Sequence, residues 1–178
     1  MIVYLDTCVW LSIFFSKDPN HQKGVEILGK IKEGQYVALV THHVLNEILD
    51  VLKTRIAMIA KNSYALQMMI KEKYKEFTTR FLQLPNVRIK NPYADAHKVL
   101  RPSFSLLYKY LGELRQLEQC PVCGSSFTFK ECDTIYRDDA LHVILAWHLN
   151  CDAFITFDKD FEQIKDDDSL KPMEIEVL

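Results

Sequence analysis

Four carboxylates stand where the chain changes direction. Asp6 closes MIVYLD, Glu47 lies in HHVLNEIL, Asp139 opens DALHVILAW, and Asp158 follows AFITF. Each has an ordinary explanation taken alone: Asp139 and Asp158 suit helix caps, and Glu47 suits a rim charge. Together they imply more. Carboxylates gathered with no Lys or Arg among them repel, and gathering them is costly unless a divalent cation is bound. All-oxygen donors favour Mg2+ or Mn2+ over zinc or copper. Such an ion stabilises charge on a phosphoryl group and activates water, which is the chemistry of phosphodiester hydrolysis.

The elements around these acids must bring them to one place. Residues 2–5 form an apolar run with β-branched members, the pattern of a central strand buried on both faces. Asp6 ends it, and Thr7 is expected to cap a helix that turns Val9, Trp10, Leu11, Phe14 and Phe15 inward. After the turn at Asp18-Pro19-Asn20, a helix over residues 21–32 is expected to bury Val25, Leu28 and Ile31 and to stop at Gly34. A strand at 36–40 follows, and Thr41 caps a helix with Val44, Leu45, Ile48, Leu49 and Leu52 on its apolar face. Glu47 lies beside that face. Residues 62–84 read as a helix burying Tyr64, Met68, Phe77 and Phe81, with Lys71, Lys73, Lys75 and Arg80 on a solvated face, contact with RNA being the lesser alternative. A strand at 87–90 precedes a helical stretch over 93–118 that Pro102 interrupts. Residues 140–149 then form about three turns of helix. A strand at 153–156, a further helix starting near Asp158 and a last strand at 173–177 complete the chain. Strands alternating with helices predict a parallel α/β sheet. Asp6 and Asp158 then share the edge outside the carboxyl ends of the strands, where such sheets hold their ligands.

The 178 residues are enough for one well-buried domain, and 48% hydrophobic with 26% charged residues is an ordinary globular balance. No apolar run approaches the length that spans a bilayer. The opening MIVYLD reads as a strand rather than as a leader, so the expected location is the cytoplasm. A net charge of −2 excludes a general basic footprint for nucleic acid and leaves room only for a local basic patch.

LDTCVWL, HHVLNEIL, DALHVILAW and ITFDKDF, in this order, resemble the motifs of the PIN-domain ribonucleases. The likeness is greatest to the toxin members of VapBC-type toxin–antitoxin pairs. The resemblance implies a PIN-like three-layer α/β fold, with a central parallel sheet of about five strands and helices on both faces. It implies a single domain over residues 1–178 and endonuclease action on RNA with Mg2+ or Mn2+ as cofactor. The catalytic, metal-binding acids would be Asp6, Glu47, Asp139 and Asp158, with Thr156 at the hydroxyl position before the last acid and Thr7 and Asp160 in support. Asp6, Asp139 and Asp158 would be direct ligands; Glu47 would bind through water or orient the nucleophile. A homodimer and, for a toxin, a small antitoxin protein are the implied partners. The alternatives are a housekeeping RNA-processing nuclease and a catalytically silent module that binds RNA or protein. The chain departs from the family pattern twice. Cys8 stands where toxin members often have Ser, a change expected to affect local packing. Residues 101–135 read as an insertion before the DALH helix.

That insertion carries CPVCGSSFTFKEC, in which Cys120-Pro-Val-Cys123-Gly has the form of a zinc knuckle and Cys132 follows across a hairpin-like stretch. A structural zinc held by Cys120, Cys123 and Cys132 needs a fourth ligand, from Cys151, His97 or another chain. Reduced, unliganded thiols are the equal alternative. The histidines suggest no competing site: His142 and His148 are six apart on one helix, and His42 and His43 are adjacent and point apart. They are expected as packing or surface residues.

Overall fold

The computed structural model describes residues 1–90, 116–119, 126–128 and 137–178. Strand β1 (Ile2–Leu5) leads through α1 (Thr7–Phe14) and α2 (His21–Lys32) to β2 (Val37–Thr41). Helices α3 (His42–Ala57) and α4 (Ser63–Leu82) lead to β3 (Val87–Lys90). A short antiparallel pair, β4 (Gln116–Gln119) and β5 (Ser126–Thr128), is separate from the main sheet. Then α5 (Arg137–His148), β6 (Ala153–Thr156), 3-10 turns at Lys159–Ile164 and Asp168–Leu170, and β7 (Glu174–Val177) complete the order.

The main sheet has five strands in the order β3-β2-β1-β6-β7, all parallel. The order reverses at β1: the chain steps outward to β2 and β3, then returns to β1's other side with β6 and β7. Right-handed crossovers in opposite directions put α1 to α4 on one face and α5 on the other, giving three layers. Consistent with that, α1 packs on α2 and α3, and α3 on α4. Val3, Tyr4 and Leu5 of β1 and Phe154 and Ile155 of β6 are consecutive and all buried, as strands covered on both faces must be.

Local chemistry sets the element ends. Gly34 ends α2 at φ 77°, and the Gln35 N–H reaches back to the Lys30 carbonyl at 2.9 Å. Asn150 does the same for α5 at φ 53°, with the Cys151 N–H on the Ala146 carbonyl at 3.0 Å. These two αL residues turn each helix sharply into its strand.

Several expected placements are corrected. Asp6, not Thr7, is the N-cap of α1; its carboxylate accepts from the Thr7 N–H, and Thr7 is the first helical residue. Thr41 holds the N-cap position of α3 without capping it, because its hydroxyl is engaged by Tyr4. On α2 the inward face is Gly24, Ile27 and Ile31, and Val25 is exposed. That phase follows from Gly24, whose missing Cβ lets α2 approach Ser12 and Ile13 of α1. Tyr64 and Met68 are exposed, whereas Phe77, further along α4, is buried against Phe14. The helix expected to start near Asp158 is present, as a 3-10 helix over Lys159–Ile164 with Asp158 as its N-cap. Gln116–Gln119 is extended, so helix does not reach residue 118 as expected. The remainder of the 93–118 stretch, Cys120, Cys123, Cys132, His97 and the side chains of Phe81 and Asp138 lie outside the described residues. Among the described residues, no helix is long and apolar enough to cross a membrane.

Candidate active site

Asp6 leaves the carboxyl end of β1 at the point where strand order reverses, and its N–H is bonded to the Ile155 carbonyl of β6 at 3.0 Å. Its side chain is buried and held on both oxygens. Oδ1 accepts from the Thr7 N–H at 2.6 Å, and Oδ2 accepts from the Thr156 hydroxyl at 2.6 Å. The Cys8 thiol also donates to Oδ2, at 3.2 Å. Thr156 in turn accepts the Asp158 N–H at 2.9 Å, and the Asp158 carboxylate accepts the Asp160 N–H at 2.9 Å. One chain of hydrogen bonds therefore fixes Asp6, Thr156, Asp158 and Asp160 across the β1–β6 boundary.

Glu47 arrives from α3. The Thr7 hydroxyl donates to its Oε2, and His142 Nε2 lies 2.7 Å from the same oxygen. His43, one turn earlier on α3, places Nε2 3.7 Å from Oε1. Behind His142, the Tyr4 hydroxyl lies 3.1 Å from Nδ1 and 2.9 Å from the Thr41 hydroxyl. His142 Nε2 is also 3.8 Å from Asp6 Oδ1, so the imidazole sits between two carboxylates. Asp139 is half-buried in the first turn of α5, three residues before His142, and its charge acts on that ring.

The electrostatics differ from simple repulsion among acids. Burial alone would raise the Glu47 carboxyl, but His142, Thr7 and His43 outweigh it and hold the group at about 2. Burial works against charge on His142, yet the Glu47 hydrogen bond and the charges of Asp6, Glu47 and Asp139 raise its pKa above the ordinary 6.5. The Tyr4 phenol is raised well above its usual range, chiefly by burial, and stays protonated. Burial and Asp6 likewise keep the Cys8 thiol neutral, so it donates to Asp6 and accepts the Phe157 N–H at 3.4 Å. Cys8 is therefore tied into the site, beyond the local packing expected of it.

Of the residues singled out in the sequence, Asp6, Thr7, Glu47 and Thr156 are joined by direct contacts, and Asp158 and Asp160 join through Thr156. Asp139 enters through its charge on His142. The expectation for the histidines is corrected at two positions: His142 is 1% exposed and paired with Glu47, and His43 faces the same carboxylate. His42 is exposed, as a surface residue should be. Tyr4 and Thr41 were missed as a supporting pair. The signal for His43 was present, since His43 and Glu47 are four apart on one helix and share a face. The signal for Tyr4 was a phenol inside a strand buried on both sides, whose hydroxyl needs a partner. Cys151 lies at the other, amino end of β6, where burial lifts its thiol to about 12.

Two solved structures share this architecture. The chain superposes on the Mycobacterium tuberculosis toxin VapC20, described as cleaving the sarcin–ricin loop, with a TM-score of 0.53 at 16% identity, covering 90% of this chain and 93% of that one. It superposes on VapBC2 from Rickettsia felis, bound to a DNA fragment of its promoter, with a TM-score of 0.54 at 17% identity and 98% coverage of both chains. At these identities the likeness is one of fold. No curated protein matches the sequence. The model of the PIN domain matches residues 3–101, which include β1 with Asp6 and α3 with Glu47, and by that match the chain belongs to the PIN-domain family.

Proposed function

We propose that this protein is a metal-dependent endoribonuclease that hydrolyses RNA phosphodiester bonds, with Asp6, Glu47, Asp139 and Asp158 as its catalytic acids. The observation that carries the reading is Asp6 at the switch point of the sheet, buried and held on both oxygens, with Glu47 brought to the same ring of contacts by Thr7 and His142. Carboxylate oxygens keep lone pairs beyond those hydrogen bonds, and the four acids offer the hard oxygen donors that Mg2+ and Mn2+ prefer, so the residues fit such an ion. Asp6, Asp139 and Asp158 would hold it, with Glu47 linked through water. The ion, when bound, supplies positive charge for the developing phosphorane oxygens and lowers the pKa of water. The protein's own part is positional. Thr156 and Thr7 fix the Asp6 carboxylate, and His142 fixes Glu47 in its ionised form, ready to orient an attacking water. Thr156 also fixes the turn that presents Asp158 and Asp160.

The toxin of a toxin–antitoxin pair is the favoured biological setting, because the superposed structures are the toxin VapC20 and VapBC2. A small antitoxin with a basic side chain over the acidic edge, and a homodimer, are the partners this implies. Residues 101–135 are read as an insertion in a single domain over 1–178, with a zinc-binding or reduced Cys120, Cys123 and Cys132 set. A housekeeping nuclease would carry the same site, and co-purification of the native operon separates the two. The purified chain should cleave a varied RNA pool with Mg2+ or Mn2+ and stop in EDTA. Asp139→Asn keeps the shape, removes the charge and should slow cleavage about a hundredfold or more. Near wild-type cleavage by this variant overturns the site assignment.

A further inference from the structure

Beside the carboxylates lies a group of different donor chemistry. His43 and Glu47 share one turn of α3, and His142 faces them from α5. One ligand atom from each lies within 4.8 Å of the other two. The His43 and His142 rings are 4.5 Å apart between centroids, and their Nε2 atoms lie 3.7 and 2.7 Å from opposite oxygens of the Glu47 carboxylate. We propose that His43, Glu47 and His142 form a second cation site, selective for a transition metal of the zinc class and sharing Glu47 with the acidic cluster.

Two imidazoles and a carboxylate suit zinc, cobalt or nickel, whereas Mg2+ prefers oxygen donors and retains its water. Zinc bonds of about 2.0–2.2 Å bring ligand atoms to roughly 3.3 Å from one another, so side-chain rotations close the present spacing. The surroundings already hold His142 as a metal-ligating histidine needs. Its Nδ1 faces the Tyr4 phenol, which is protonated and also contacts Thr41. With Nδ1–H donating to the phenol oxygen and the phenol donating to Thr41, the Nε2 lone pair points to the cation. Such outer hydrogen bonds fix the tautomer and orientation of metal-bound imidazoles. Three protein ligands are the number found in zinc sites whose fourth position exchanges.

Because Glu47 serves both groups, a cation held by the histidines draws it from the Mg2+ set. Zinc should therefore oppose Mg2+-dependent cleavage; this consequence rests on the nuclease reading, and the binding does not. The test uses Co2+ added to the full chain in excess Mg2+, read by visible d–d absorption. A site of nitrogen and oxygen donors gives visible bands without the near-ultraviolet thiolate charge-transfer band that cobalt at Cys120, Cys123 and Cys132 would give. Wild type should show the visible bands, and Zn2+ should bleach them. His43→Gln and His142→Gln should each weaken Co2+ binding at least about tenfold. A Cys120→Ser/Cys123→Ser/Cys132→Ser variant should keep the bands. Should His142→Gln fail to fold, as judged by circular dichroism, His43→Gln decides, since the His43 side chain is less buried than that of His142. Unchanged Co2+ affinity in folded His43→Gln, or loss of all visible absorption in the cysteine variant, overturns the second site. Neither result depends on RNA cleavage, so failure here leaves the nuclease reading intact, and failure to cleave RNA leaves the cobalt result intact.

Discussion

Replacing Glu47 by Gln in metal-free protein decides between two opposite accounts of the acidic cluster. If repulsion among carboxylates dominates, removing one charge stabilises the fold at neutral pH. If the pair with His142 dominates, the same change destabilises it. The structure favours the second account. Glu47 is held at about 2 against an ordinary 4.5, mainly through His142 after burial has opposed it. At about 1.4 kcal/mol per pH unit that fall corresponds to about 3 kcal/mol. The Glu47 side chain is 30% exposed and the interaction is shared with His142, so solvent and coupling reduce the expected loss to about 1–2 kcal/mol. Gln keeps the contact with the Thr7 hydroxyl, so the change reads charge more than shape.

The sign with pH follows from linkage. Glu47 has a lowered folded pKa, so its contribution is present above 4.5 and is lost as pH falls toward about 2. His142 has a raised folded pKa, so its contribution is present below 6.5 and is lost as pH rises through the folded value. Both partners are charged in the window between. Thermal melting in EDTA near pH 3, pH 5.5 and pH 8.5 should show the deficit of Glu47→Gln greatest at the middle value. There it should lower Tm by about 3–6 °C for a chain of this size. A variant as stable as wild type near pH 5.5, or a deficit that grows on acidification, refutes the idea that attraction to His142 outweighs repulsion among the acids.

Two further changes probe how the site is held. Thr156→Val keeps the volume but leaves the Asp158 N–H without its acceptor and takes a donor from Asp6. It should cost about 1–3 kcal/mol in urea denaturation, and an unchanged midpoint would show that the hydroxyl bridge is not a structural tie. Gly24→Ala would put a Cβ 2.3 Å from Ser12 Oγ and 2.9 Å from the Ile13 backbone nitrogen. Ser12 is fixed by its bond to the Val9 carbonyl, so α1 and α2 must separate, at about 1–3 kcal/mol. Wild-type stability in this variant would mean the helices slide apart freely.

What was legible in the sequence was chemistry attached to punctuation. Asp6 and Asp158 could be placed because a buried apolar run ends at each, and Glu47 and Asp139 because a strand or an apolar helix marks their surroundings. The parallel α/β sheet follows from the same alternation, and its count of about five strands from the resemblance to the PIN-domain family. The order β3-β2-β1-β6-β7 is legible only in part: the charged residues of β3 (VRIK) and β7 (EIEV) suit the edges they occupy, but nothing local says how the apolar β1, β2 and β6 are ordered between them. Helix phase was misread where an apolar residue competed with a small one. Val25 belongs inward by residue type, yet the close approach to α1 runs through Gly24, which carries no hydrophobic signal at all.

The histidines failed for a related reason. By their spacing from one another the histidines share no face. The relevant spacing was from His43 to Glu47, and the relevant contact, His142 with Glu47, joins residues 95 apart in the chain. No periodicity reports a pair made across two helices. Its consequence is the sign of the electrostatics. Acids counted alone predict mutual repulsion that only a cation relieves. An imidazole 2.7 Å from Glu47 and 3.8 Å from Asp6, its pKa raised by them, supplies part of that positive charge from the protein itself when it is protonated. Cation binding at Glu47 then competes with His142 for one carboxylate, so cation affinity there should fall as protonation of His142 strengthens that pair at lower pH.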